Sequence, residues 1–185
     1  VFSLIDRIGN ENFENNLLLF PLAILLENIA GGYCTLCVGA KVNVLPLKST
    51  GINISGKINL EYFIHAIENI GATSFIITPE LLKLLVNLVK MDKIHLSKLK
   101  FIAIGGAVVS KDLLIEADKL GLPIFQGYGL SEFASVASLN SLNDNKIGSV
   151  GRLLPHIEVK IADDGEILLK GNKFSGYISG KSDNE

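Results

Sequence analysis

Short apolar runs alternate with stretches of helical periodicity through the first two-thirds of the chain. Residues 17–20 (Leu-Leu-Leu-Phe) read as a buried strand, 22–38 as a helix, and 42–45 as a second strand. Over 60–70 the apolar positions repeat at about 3.6 residues, and Gly71 stands where a helix needs a left-handed C-cap. Residues 73–77 are rich in β formers. Thr78-Pro79-Glu80 then opens a helix with a capping hydroxyl, a proline in the first turn and an acid at the positive end. Leu81, Leu84, Leu85, Leu88 and Val89 share its apolar face. A strand is predicted over 101–104, and a helix from Ser110 to about Leu120-Gly121. Two more strands are predicted, over 123–125 and 135–139.

Strands set between helices, apolar on both faces, predict an α/β fold: a mostly parallel sheet flanked by helices on both faces. After about residue 140 the pattern changes to period two. Ile157, Val159 and Ile161 alternate with Glu158 and Lys160, and Asp163-Asp164-Gly165 marks a hairpin turn before Ile167 and Leu169. The expected organisation is therefore an α/β subdomain over 1–140, followed over 141–185 by the beginning of a smaller antiparallel β subdomain.

Composition narrows the function. The chain has 185 residues, 48% of them apolar and 19% charged, which argues against disorder. A net charge of −2 with no Lys/Arg block provides no general reason to expect nucleic acid. No run approaches the length of a membrane span, which leaves only peripheral contact with a membrane surface. Met91 is the only methionine, so the chain reads as the interior of a longer product whose targeting segment would not be seen. Two cysteines suit a cytoplasmic location. Cys34-x-x-Cys37 has no second pair and no His at zinc spacing, and sits in an apolar segment where cysteine packs as a small hydrophobe.

The chemistry concentrates in Gln126-Gly127-Tyr128-Gly129-Leu130-Ser131-Glu132. Its glycines allow close approach of backbone to a ligand. Tyr128 between them can lie against a planar base, Ser131 can donate to a phosphate oxygen, and Glu132 offers the hard oxygen that Mg²⁺ prefers. Upstream, the apolar run 101–104 leads into Gly105-Gly106-Ala107, small residues that leave a slot. Both segments fall at carboxyl ends of predicted strands, where ligands of such sheets bind. The bland readings are a core tyrosine, a tight turn, a helix-capping serine and a first-turn acid. His65, His95 and His156 have no partner at a catalytic spacing. Asp163, Asp164 and Glu166 are accounted for by a solvated turn.

These segments resemble, in order, signatures of the adenylate-forming (AMP-binding) acyl-CoA synthetase superfamily. The run 126–132 is similar to its Tyr-Gly-x-Ser/Thr-Glu motif, and 101–107 to its strand ending beside the adenine. Gly148 to Pro155, Gly165-Glu166-Ile167 and Gly176-Tyr177 are similar to the glycine-rich series downstream. Phe20-Pro21-Leu22-Ala23-Ile24-Leu25-Leu26-Glu27-Asn28 is most like the Leu-Pro-Leu-Ala-His-x-x-Glu segment of long-chain fatty-acid–CoA ligases, with Ile24 in place of the histidine. It also lacks the aspartate with which peptide-synthetase domains hold a substrate amine.

The resemblance implies an AMP-forming acid–thiol ligase that activates a medium- or long-chain fatty acid with ATP and Mg²⁺ and transfers it to CoA. It implies nucleotide contacts at Gly105, Gly106, Ala107, Gln126, Gly127, Tyr128 and Gly129, a phosphate contact at Ser131, and metal ligation by Glu132. The adenine-side half of the site would thus lie within 1–140. No phosphate loop precedes Phe20, and neither the ribose-binding aspartate nor the terminal lysine is found. The expectation is a central piece that is inactive alone. The alternative is a non-catalytic AMP- or ATP-binding homologue serving as a binding or scaffold module. A dehydrogenase or methyltransferase would leave 127–132 unexplained.

Overall fold

The structure is a computed structural model, and it describes residues 1–53 and 57–176. Tyr177, half of one glycine-tyrosine expectation, lies outside the described residues. Among the described residues, nine strands fall into two sheets. They are β1 (Asn15–Leu18), β2 (Lys41–Val44), β3 (Ser74–Ile77), β4 (Phe101–Ile104), β5 (Ile124–Tyr128), β6 (Ser138–Leu139), β7 (Arg152–Leu153), β8 (Glu158–Ile161) and β9 (Ile167–Lys170). The first seven form one sheet in the order β2-β1-β3-β4-β5-β6-β7, with β8 and β9 a separate hairpin. Strands β1 to β5 pair in parallel, and β5, β6 and β7 pair antiparallel.

Period-two patterning sends alternate side chains to two cores. From β4, Ile102 and Ile104 enter the cluster under α3 (Leu60–Ile70), α4 (Pro79–Lys90) and α5 (Lys111–Lys119), while Phe101 enters the cluster on the opposite face. There it stacks on Phe125 with ring centroids 4.5 Å apart. That second face is covered by α1 (Phe2–Ile8) and by α2, a helix whose π segment Glu27–Tyr33 continues into the α-helical Cys34–Cys37. Helices on both faces of a largely parallel sheet agree with the sequence pattern.

Local differences have local causes. The helix predicted over 22–38 starts later, because Pro21 to Ile24 form a turn closed by the Ile24 N–H donating to the Pro21 carbonyl at 2.9 Å. Thr78 occupies the N-cap of α4, yet its side chain accepts no helix N–H. Its hydroxyl instead bonds the Glu80 carboxylate, which Glu80's own N–H, and then this bond, hold below the usual range. Ser110 does cap, accepting from the Leu113 N–H at 3.4 Å. The predicted strand over 135–139 shrinks to Ser138–Leu139 because Ala134 and Ser135 take positive φ. Strand β7 lies within the stretch assigned by pattern to the second part, but it is hydrogen-bonded into the first sheet. On the β8–β9 hairpin, Val159, Ile161 and Ile167 stand at 44%, 59% and 48% exposure. Ile157, just before it, is buried.

Asn140 joins the two parts of the large sheet. At 1% exposure, its amide donates to the Gln126 carbonyl (2.9 Å) and the Ser149 carbonyl (2.6 Å), and its oxygen accepts from the Lys146 N–H (3.0 Å). Asn140→Leu removes all three side-chain bonds and strands buried partners. The expected loss is about 2–4 kcal/mol, read as a lower denaturant midpoint at unchanged slope.

Candidate functional site

The register of the parallel strands builds the site. Ile104 at the end of β4 sits beside Gln126 of β5, so Gly105 comes alongside Gly127. A Cβ on Gly105 would lie 3.8 Å from the Gly127 carbonyl oxygen. Strand β5 runs on to Tyr128, where Gly127 and Tyr128 pair antiparallel with Leu139 and Ser138. The motif glycine and tyrosine thus belong to the strand, rather than to a loop after it.

From Tyr128 the chain folds back on itself. The Leu130 carbonyl accepts from both Phe133 N–H (3.1 Å) and Ser135 N–H (3.0 Å), and a single 3₁₀ turn spans Ser131–Phe133. Phe133 is the buried anchor of this turn. Ala134 and Ser135 take φ of 52° and 82°, conformations that cost a non-glycine residue about 1–3 kcal/mol each and gather at functional sites. The Ala137 N–H donates to the Tyr128 carbonyl at 2.8 Å and closes the loop. The Glu132 carbonyl accepts from the Phe174 N–H at 2.9 Å, which ties the turn to the segment beyond the hairpin.

A cavity of about 200 Å³ opens at this point. Gly105, Gly106, Gly127, Tyr128, Gly129 and Ser131 line it, so six residues from two separate sequence segments share one space. Ala107, Gln126 and Glu132 are outside its lining. Ala107 is exposed and Glu132 half-buried beside Ser131. Gln126 borders a recess of about 10 Å³ next to Leu114 and Asp118 of α5. Apart from Ser135, the rest of the cavity wall is apolar, with Leu4 and Ile8 of α1, Ile24 to Leu26 ahead of the π segment, and Val136 and Leu139 among its residues. Leu4 and Ile8 were missed by the sequence reading, although their i, i+4 spacing carried the signal. A larger groove of about 690 Å³ between α4 and α5 is crossed by the Lys90–Glu116 ion pair and contains none of the motif residues.

Charge near the cavity is sparse. Arg7 on α1 donates from Nε to the Leu139 carbonyl at 3.0 Å and approaches Asp144 at 3.5 Å, which also pairs with Arg152. Glu27 is 1% exposed, and burial pushes its carboxyl up to about 8 against the pull of the Phe20 and Leu19 N–H groups. Burial likewise pushes the Cys34 thiol up to about 11; both cysteines are free, and Cys34 packs in the core as expected, whereas Cys37 is exposed at the end of its helix and does not. His65, His95 and His156 lie outside the cavity lining. Among the described residues no group of three or more His, Cys, Asp and Glu could hold a metal, and no helix is long and apolar enough to cross a membrane.

Comparison with known proteins bears on this geometry. The model of the AMP-binding enzyme family matches residues 5–182. A long-chain-fatty-acid–CoA ligase of Mycobacterium bovis is 50% identical over 58 residues, covering 31% of this chain and 10% of the ligase. A 2-succinylbenzoate–CoA ligase of Listeria monocytogenes is 44% identical over 87 residues, covering 45% of this chain and 19% of the ligase. Among solved structures, the amide bond synthetase McbA of Marinactinospora thermotolerans superposes with a TM-score of 0.75 at 25% identity, over 95% of this chain and 36% of that one. The matches thus cover well under half the length of each relative.

Proposed function

Because the chain belongs to the AMP-binding enzyme family, we propose that it forms the adenine-side half of the site of an AMP-forming acid–thiol ligase. The parent enzyme would activate a carboxylic acid as its acyl-adenylate and pass the acyl group to CoA. The observation that carries this reading is the shared cavity: two glycine-bearing strand ends and Tyr128 at one side, an apolar wall at the other.

Each group has a physical role in the reading. Tyr128 stacks on the adenine, while Gly105, Gly106 and Ala107 flank it, with Gln126, Gly127 and Gly129 completing the nucleotide contacts. Ser131 donates to the α-phosphate. Glu132 is one carboxylate beside that serine, which suits Mg²⁺, an ion held by one or two carboxylates while substrate phosphates supply further ligands. Mg²⁺, when bound, would neutralise charge developing on the phosphates. The apolar wall, with Ile24 and Leu26, suits a medium or long fatty chain, in line with the names of the fatty-acid ligases the chain resembles.

The test is adenylate formation by the full-length parent across a panel of carboxylic acids, followed by pyrophosphate exchange. Turnover of fatty acids in preference to aromatic acids supports the reading; no turnover of any acid by the folded full-length parent sinks it. Within the parent, Ser131→Ala is expected to cost about 1.5–3 kcal/mol of transition-state stabilisation, as for a lost hydrogen bond to a charged group. Tyr128→Ala should weaken nucleotide binding by about 1–3 kcal/mol, the worth of one stacked base. Glu132→Gln should reduce adenylation strongly while leaving thermal stability unchanged. The isolated chain should show no exchange.

A further inference from the structure

Glu27 is a buried acid that the adenylation reading does not use. It opens the π segment Glu27–Tyr33, in which the Cys34 N–H reaches back five residues to the Ile29 carbonyl. Such widened turns are uncommon and often sit at functional sites. The Glu27 Oε1 accepts from the Phe20 N–H at 3.3 Å, the Leu19 N–H also pulls on the carboxyl, and Oε2 is buried without a hydrogen-bond partner. Packing over the group is close. A Cβ on Gly31 would meet Leu18 Cδ2 at 2.8 Å and Glu27 Cδ at 3.5 Å. The residues on either side of Glu27 in the helix, Leu26 and Ala30, both line the cavity, and Leu26 Cδ2 lies 3.9 Å from where a Gly105 Cβ would stand.

We propose that Glu27 is a positioning residue for the cavity: its carboxyl latches Leu19 and Phe20, just past the end of β1, to α2, and so sets how closely Ile24, Leu25 and Leu26 approach Gly105. One further tie supports the same joint, the Asn28 amide donating to the Leu22 carbonyl at 3.2 Å. The latch is built for a neutral acid. Strands β1 (Asn-Asn-Leu-Leu) and β3 (Ser-Phe-Ile-Ile), which pack against the π segment, contain no titratable group, and among the described residues no cation pairs with Glu27. Ionisation therefore places an uncompensated charge in the core, and the joint opens to hydrate it. The relevance to adenylation rests on the function proposed above; the latch itself does not.

Amide hydrogen exchange of the full chain, read residue by residue from about pH 6 to about pH 9, tests it. Protection of the Leu19 and Phe20 amides, corrected for intrinsic exchange, should fall roughly tenfold per pH unit as pH rises towards about 8 in the wild type and level off beyond it. Glu27→Gln preserves shape and acceptor but cannot ionise, and its protection should stay flat. Glu27→Leu should lose protection at Leu19 and Phe20 at every pH, while α4 and α5 retain theirs. Glu27→Gln following the wild-type pH course would overturn the proposal, as would undiminished Phe20 protection in Glu27→Leu. Should the leucine variant fail to fold, the glutamine variant decides. Binding of a medium-chain acyl-sulfamoyl adenosine to the full-length parent is the second readout, with an expected loss of about tenfold in wild-type affinity across the same range and none in Glu27→Gln. If the wild type binds none at any pH, the nucleotide reading fails, and the amide data still decide the latch.

Discussion

Gly129→Ala is expected to destabilise the chain by about 3 kcal/mol or more and to abolish nucleotide binding with it. The cause is contact with backbone, which cannot swing aside. A Cβ at this position would lie 1.8 Å from the Ser135 carbonyl oxygen and 2.7 Å from the Val136 Cα. Relief requires the Tyr128 to Ser135 loop to open, and that loop carries Ser131 and already includes two residues at positive φ. Urea unfolding measures the first effect and nucleotide titration the second. Gly106→Ala is the matched control, because nothing lies within 4 Å of its Cβ position and only its φ of 82° opposes the change. It should cost about 1 kcal/mol. Equal losses at the two positions would show that the close approach at 129 is not what requires glycine there.

The second large effect is in pH. Glu27 keeps its proton in the folded chain up to about pH 8, whereas an unfolded chain releases it near 4.5. Between those values the folded state holds more protons, so stability must fall as pH rises. Glu27's favourable contribution is complete below 4.5, is lost progressively up to about 8, and is constant beyond. The span corresponds to on the order of 4 kcal/mol. Denaturant midpoints of wild type and Glu27→Gln, measured across this window, should therefore converge or cross as pH rises. A constant gap between the two proteins would remove Glu27 as the source.

Element type was legible wherever the periodicity was long and the punctuation strong. The helix over 60–70 and its Gly71 cap are found as expected, with Gly71 at φ 61°. So is the placing of Gly105-Gly106 and Gln126 to Glu132 at neighbouring strand ends, since glycine after an apolar run is a local signal. Boundaries were less legible: β1 begins two residues earlier than its apolar run because Asn15 and Asn16 find partners in the sheet. The Asn16 amide donates to the Gly31 carbonyl and its oxygen accepts from Ser74 Oγ, so two polar residues behave as interior ones. At the site, the motif residues could be named from spacing, but not which of them share the cavity. Of the nine, Ala107, Gln126 and Glu132 fall outside its lining.

The sequence alone determined the class of fold, the two neighbouring strand ends that border the cavity, and the family, because all three rest on periodicity and on short motifs read within a few residues. Only the tertiary structure decided what faces the cavity and at what charge. Leu4 and Ile8 became its wall because α1 packs into the second core, where Arg7 also reaches a carbonyl 132 residues away. Glu27 became a neutral acid because the β1 segment and β3 pack against its helix and close over it. Burial and desolvation are sums over neighbours distant in the chain, and no local pattern carries them.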